Sequence, residues 1–180
     1  MSTHVATAHW RRLEREGTDR CTLAQLDHGW LLSGQAIWRE SGAETALNYV
    51  IRCDRGWRSL SAEVSGSGPE GDIALLLTRA EGGWQLNGAL QPGTEACDDI
   101  DLCFTPATNT MPLRRLAGAP ALPVVAAWLV PDLSALHPLA QTYSTRAPHQ
   151  AQYASPGFKA DLALHPSGFV TRYGSLWEGW

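Results

Sequence analysis

A polar segment of 20 residues, from Cys97 to Leu116, holds most of the side chains that could do chemistry: three aspartates, three threonines, one asparagine and two adjacent arginines. Within it, Asp99 and Asp101 have the spacing that places both carboxylates on one face of a β-strand, with Cα atoms about 6.5 Å apart. Such a pair could bind sugar hydroxyls, hold a divalent cation or act as acid and base in hydrolysis. It could also lie on a solvated face or accept backbone N–H groups at a turn. The residue types therefore indicate a candidate site without choosing its chemistry.

The second half of the segment adds hydroxyl, amide and guanidinium groups. Thr105 and Asn109 lie before a candidate helix, where turn and capping interactions also use such side chains. Arg114 and Arg115 point in different directions on a helix, so one could pair with an aspartate of the segment. The other could meet solvent or an anionic head group.

Eight tryptophans are a high count for 180 residues. Several of them must lie in a core, a cavity or an interface, and an indole face can also stack on a sugar ring. Trp177 and Trp180 could cap the mouth of a cavity or pack against the fold. The candidate ligand-binding residues are Asp99, Asp101, Thr105, Asn109, Arg114, Arg115 and Trp57.

Established catalytic and metal-binding motifs are absent from the sequence. It has no Ser-His-Asp elbow, phosphate loop or dinucleotide fingerprint, and its six histidines show neither HxH nor HExxH spacing. The four cysteines lack CxxC spacing and are expected to be free thiols. We therefore predict no catalytic residue, no metal and no cofactor.

The charge and the hydropathy of the sequence indicate which classes of partner, and which cellular location, to expect for the protein. There are 14 basic and 18 acidic residues, a net charge of -4, and no basic run longer than two residues, so we expect no binding to nucleic acid. The longest mostly apolar stretch, Ala117 to Val130, is too short to span a bilayer. Residues Met1 to His9 do not resemble a secretion signal. We predict one domain over residues 1–180, not membrane-spanning and located in the cytoplasm.

The elements that position the polar segment are predicted to be mainly β. Apolar residues alternate with polar ones in stretches such as Leu47 to Cys53, which is typical of half-buried strands. The pair Asn87-Gly88 is typical of a type I′ hairpin turn. A further strand is expected from Trp57 to Val64, followed by a flexible loop from Ser65 to Gly71.

Helical periodicity is nearly absent outside one short stretch. A helix is predicted within Thr110 to Leu116, with Met111, Leu113 and Leu116 facing inward. Two turns of helix are marginal in isolation. We therefore expect this helix to lie inside or across a curved sheet that stabilises it.

The polar segment also resembles the hallmark segment of a bacterial family of putative glycolipid-binding proteins, a DxDL pair followed by TPxTNTLPIRRL. Asp99 to Leu102 and Thr105 to Leu116 correspond to these two motifs. Met111 and Leu113 replace the usual leucine and isoleucine, a volume-conserving change. Further similarity is found at Trp10–Leu13, Tyr49–Arg58, Gly83-Trp84, Asn87-Gly88, Gln141–Tyr143 and Phe158–Tyr173.

This resemblance implies a fold and a function. The fold would be a spiral β-roll, a single long antiparallel sheet wrapped around one short α-helix. The function would be binding of a glycolipid or a related lipid-like small molecule, and the family supplies no established catalytic residues. Two alternatives remain open: a hydrolase acting on a sugar or lipid ester through Asp99 and Asp101, and an interaction module that forms a homodimer through exposed strand edges.

Overall fold

The computed structural model describes residues 1–180 and consists of fifteen strands, one 3₁₀ turn and one α-helix. The elements in chain order are β1 (Ser2–Arg12), β2 (Gly17–Leu26), β3 (Gly29–Glu40), β4 (Ala43–Cys53), β5 (Ser59–Gly68), β6 (Gly71–Ala80), β7 (Gly83–Leu86), β8 (Ala89–Leu90), β9 (Asp99–Leu102), the 3₁₀ turn (Pro106–Asn109), α1 (Thr110–Leu116), β10 (Ala121–Leu129), β11 (Leu136–Ala147), β12 (Gln150–Ser155), β13 (Phe158–Leu164), β14 (Val170–Tyr173) and β15 (Trp177–Gly179).

All fifteen strands form one sheet whose two edges are β8 and β9. The first and last strands of the chain, β1 and β15, pair with each other inside the sheet. Every neighbouring pair is antiparallel except β9 and β10, which are parallel. A parallel pair needs a crossover connection, and the 3₁₀ turn and α1 provide it here. The predicted mainly β fold with one short helix is confirmed, with this one parallel ladder added.

The sheet curls until its edge strand β9 meets β5. The backbone N–H of Ser59 donates to the carbonyl of Asp98 at 3.1 Å, and the N–H of Ile100 donates to the Ser59 hydroxyl at 3.1 Å. Arg79 adds an ion pair with Asp98 at 2.8 Å. The long sheet therefore forms a roll in which the edge strand β9 is hydrogen-bonded to β5.

Alternation predicts the strand interiors well and the turns less well. In β4 the side chains of Leu47, Tyr49, Ile51 and Cys53 are buried, as their spacing predicts. The prediction of a flexible loop from Ser65 to Gly71 is wrong, because β5 continues to Gly68 and β6 begins at Gly71.

Local backbone geometry explains these differences at the two ends of β5. Gly66 has a φ of +155°, and a Cβ there would lie 2.0 Å from the carbonyl oxygen of Ala46 in β4. Glycine is therefore required for close packing of the two backbones rather than for flexibility. At the other end of the strand, β5 begins two residues later than predicted, since Trp57 has left-handed backbone geometry (φ 66°) in the preceding turn.

Helix α1 spans Thr110–Leu116, as predicted, and joins two hydrophobic clusters. Met111 packs in the larger cluster with strands of the first half of the chain. Leu113 and Leu116 pack in the smaller cluster with residues of the second half, such as Tyr143 and Tyr153. The helix is therefore stabilised by apolar burial on both sides. No helix here combines the length and apolarity needed to cross a bilayer.

Candidate functional site

Asp99 forms a buried ion pair with Arg115 across the roll. The aspartate is 2% exposed, and both of its oxygens accept hydrogen bonds from the guanidinium, the Oδ1 bond at 2.8 Å. Arg115 also donates to the backbone carbonyl of Trp57 at 2.7 Å. Burial raises the pKa of Asp99, and the arginine opposes that rise. The predicted pairing of one arginine with an aspartate of the segment is confirmed, and it joins α1, β9 and the β4–β5 turn.

Arg114 lies on an aromatic shelf formed by Trp30 and Trp57. The two indoles stack with centroids 4.1 Å apart, and the guanidinium carbon of Arg114 lies 4.9 Å from the Trp57 ring and 5.9 Å from the Trp30 ring. The Nε of Arg114 has no hydrogen-bond partner, and burial lowers the pKa of this side chain. Cation–π contact thus takes the place of an ion pair.

Asp101, Thr105 and Asn109 line one cavity of about 370 Å³. It lies beside the 3₁₀ turn, on the inner side of the second half of the roll. The remaining lining residues come from β9 to β15 and their connections: Leu102, Cys103, Trp128, Leu139, Tyr153, Ser155, Phe158, Tyr173, Leu176 and Trp177. Of the seven predicted site residues, the cavity brings these three together, and Asp99, Arg114, Arg115 and Trp57 are not among its lining.

The polar end of the cavity is a hydrogen-bonded network. Asp101 accepts one bond at each oxygen, from Thr108 at 3.2 Å and from Gln141 at 2.7 Å. Asn109 donates to the carbonyl of Pro106 and accepts from the Tyr143 hydroxyl at 2.8 Å. A carboxylate has about four acceptor positions and an amide two donor hydrogens. Both side chains therefore keep hydrogen-bonding capacity for a ligand.

Aromatic rings form the walls of the cavity. Tyr153, Phe158 and Tyr173 contact one another with ring centroids 5.7 to 6.2 Å apart and interplanar angles of 56° to 70°. Phe158 is 38% exposed at the mouth, whereas Tyr153 is buried. Trp128 and Trp177 complete the walls, so one of the two C-terminal tryptophans does contribute to a cavity.

Thr105 contributes mainly through a second network of buried hydrogen bonds, next to the cavity. Its hydroxyl donates to Asp19, accepts from the N–H of Ala107 at 3.0 Å and lies 3.1 Å from the Tyr49 hydroxyl. Tyr49 also donates to both oxygens of Asp19 at 3.0 Å. Burial raises the pKa of Asp19 to about 7, although these hydrogen bonds and nearby Arg12 oppose the rise. The Thr105 hydroxyl is thus fully used in holding the start of the 3₁₀ turn.

The two aspartates of the segment belong to different surroundings. Asp99 is enclosed by Arg115, while Asp101 faces the cavity. An acid/base or nucleophile pair requires two carboxyl groups on one shared site. This arrangement argues against a hydrolase that uses both residues.

A second cleft of about 690 Å³ lies between the β3–β4 turn, the β5–β6 turn and the β10–β11 loop. It is larger, but none of the predicted site residues lines it. Its acidic side chains, such as Glu70 in the β5–β6 turn and Asp72 at the start of β6, are exposed. We therefore take the smaller, aromatic cavity as the candidate site.

Sequence reasoning missed the aromatic walls. Tyr153, Phe158 and Tyr173 follow ordinary strand alternation, and no local signal separates a ring that lines a cavity from one that fills a core. The buried contact between Asp19 and Thr105 was not predicted either, because the two residues lie 86 positions apart in the sequence.

Comparison with known proteins agrees with this architecture. The family model described as "Putative glycolipid-binding" matches residues 7–179. The chain belongs to this family. The crystal structure of a DUF1089 family protein from Pseudomonas aeruginosa is similar to it, with 26% identity, a TM-score of 0.77 and coverage of 90% of this chain and 91% of that one. None of the curated proteins compared with the chain matches it.

Proposed function

We propose that this protein binds a glycolipid or a related amphiphile without catalysing a reaction on it, and that the sugar of the ligand lies in the aromatic cavity. One observation carries the proposal: a single cavity combines Asp101 and Asn109, which have free hydrogen-bonding capacity, with walls of tryptophan, tyrosine and phenylalanine. Sugars need both features, because their hydroxyls require polar partners and their ring faces stack on aromatic side chains. Membership of the glycolipid-binding family supports the same class of ligand.

The size of the cavity limits which part of the ligand enters it. Its volume of about 370 Å³ is near the lower end of the roughly 300–1,000 Å³ found for ligand pockets. One sugar ring or a short alkyl segment fits, and a whole glycolipid does not. We therefore place the sugar inside and the first methylenes of the lipid against Phe158 at the mouth.

Alkyl glucosides of increasing chain length test this arrangement. We expect octyl glucoside to bind, measured by calorimetry and tryptophan fluorescence, with affinity rising from the methyl to the octyl compound by at most about fourfold per buried methylene, or 0.8 kcal/mol. Ser155→Trp should abolish binding, because it places an indole in the cavity. Ser65→Trp, the same change at an exposed position of β5, is the matched control and should bind normally.

A failure of every glucoside to bind, together with the absence of any lipid in native mass spectra of protein purified from its own host, would contradict the proposal. Equal loss of binding in both tryptophan variants would contradict the location of the site.

Three broader expectations accompany this function: location in the cytoplasm, a single domain over residues 1–180, and no affinity for nucleic acid. Fractionation of host cells, unfolding in one cooperative transition and gel-shift assays test them respectively. The homodimer remains an alternative arrangement, and light scattering coupled to size-exclusion chromatography would detect it.

A further inference from the structure

The charge inside the cavity has no counterion in the chain. Asp101 is the only charged residue among the lining, and its hydrogen-bond donors, Thr108 and Gln141, are both neutral. Asp99, on the same face of β9, is paired with Arg115. The fold therefore neutralises one of these two aspartates and leaves the other facing an aromatic enclosure.

The arginines near the cavity do not neutralise the charge of Asp101. Arg12 and Arg15 line a small adjoining pocket that shares Cys103, Leu176 and Trp177 with the cavity. The guanidinium of Arg12, however, lies between the rings of Trp38 and Trp177, at 5.2 and 4.6 Å, and donates to a backbone carbonyl.

Arg15 for its part pairs with Glu40 at 3.3 Å. Both cations are thus already engaged, and an anionic ligand in the cavity would be repelled by the carboxylate of Asp101.

We infer that the cavity selects a ligand whose head group carries a positive charge, an amino sugar or another alkylammonium group, seated between the Asp101 carboxylate and the rings of Tyr153, Phe158 and Tyr173. This inference rests on the proposed function and names its ligand class. The three rings contact one another along one wall of the cavity, and ring faces attract ammonium groups within about 6 Å. The free acceptor positions of Asp101 supply the charge-assisted hydrogen bonds that the rings cannot.

The burial of Asp101 fits the same role. Burial raises the pKa of this carboxyl, and the bonds from Gln141 and Thr108 only partly oppose the rise. A buried carboxylate without a cationic partner is unfavourable, because charge is costly to remove from water. A bound ammonium group would relieve that cost, so the energy of binding depends on the charge of the ligand.

Three octyl glycosides that share the same ring and alkyl chain but carry different charges test the inference at neutral pH: octyl glucoside, its 2-amino-2-deoxy analogue and octyl glucuronide. We expect calorimetry to give the amino compound about tenfold higher affinity than the neutral one, the size of a hydrogen bond to a charged group. The glucuronide should bind more weakly than both.

Two variants locate the selectivity. Asp101→Asn should reduce the preference for the amino compound to less than about threefold, while Asp72→Asn, at an exposed position near the start of β6, should leave it intact. Phe158→Leu, at a partly exposed position where folding is not at risk, should lower the affinity for the amino compound by about threefold, since one cation–π contact is lost.

The possible failures are distinguishable. If no glycoside binds to the wild-type protein and native mass spectra show no bound lipid, the proposed function itself is wrong. If the neutral and amino compounds bind equally, or the glucuronide binds most tightly, the protein binds glycosides but the inference about charge is overturned.

Discussion

Asp19 makes the stability of this protein depend on pH in a way that one substitution should remove. The residue is 2% exposed, and its pKa in the folded chain is raised from 3.8 to about 7. The folded chain therefore keeps this proton over a range of pH in which the unfolded chain has lost it. The stabilisation is fully present below the lower pKa and is lost as the pH rises through about 7.

The size of this change in stability follows from the difference between the pKa of Asp19 in the folded chain and its pKa in the unfolded chain. One pH unit corresponds to about 1.4 kcal/mol, so the free energy of unfolding of the wild type should fall by about 4 kcal/mol, relative to that of Asp19→Asn, between about pH 4 and about pH 8. Asparagine keeps an acceptor for Tyr49 and Thr105 and has no charge to bury. Loss of 4 kcal/mol is a large part of the 5–15 kcal/mol typical of a folded domain.

Urea unfolding at a series of pH values measures this difference directly. The variant should be the more stable protein at about pH 8, and the two should approach each other at about pH 4. Asp72→Asn, at an exposed position, should follow the wild type throughout. Parallel pH profiles for the wild type and Asp19→Asn would refute the reasoning, because they would mean that this carboxyl titrates alike in both states.

Three further predictions concern stability and reactivity. Arg115→Ala should lower the free energy of unfolding in urea by about 3–5 kcal/mol, because it leaves a buried carboxylate unpaired, whereas Arg52→Ala, which breaks an exposed pair, should cost less than about 1 kcal/mol. Gly66→Ala should lower the free energy of unfolding by about 3 kcal/mol or more, because the new Cβ clashes with a neighbouring carbonyl. Gly42→Ala, with open space around it, should lower it by only about 1 kcal/mol. Thermal melting of the two variants measures the difference. Cys103 is the one free cysteine that is not buried, so maleimide should label it first in the native protein, and a bound glycoside should slow that labelling; peptide mass spectrometry would contradict this if another cysteine reacted first.

Local features of the chain were predictable because they depend on neighbours in sequence. Alternating side chains indicate strands wherever one face is buried, and this holds in β4. Asn87 and Gly88 both have positive φ in the hairpin between β7 and β8, as their residue types favour. The bounds of α1 follow from one short stretch of helix-compatible residues between strands. The residue types of the polar segment also indicated an Asp–Arg ion pair, but they did not indicate which arginine would form it.

The site itself was decided by the tertiary structure. Asp101 faces a cavity and Asp99 does not, although both lie on the same face of β9, because only Asp99 lies within reach of Arg115 on α1. Three rings of the aromatic walls, those of Tyr153, Phe158 and Tyr173, come from β12, β13 and β14 and follow Asp101 by 52, 57 and 72 residues in the sequence. Side chains so far apart meet only when the register of every intervening strand and the curl of the whole sheet are set. Alternation specifies which residues point inward, but the closing of the roll specifies which of them face each other across an open space.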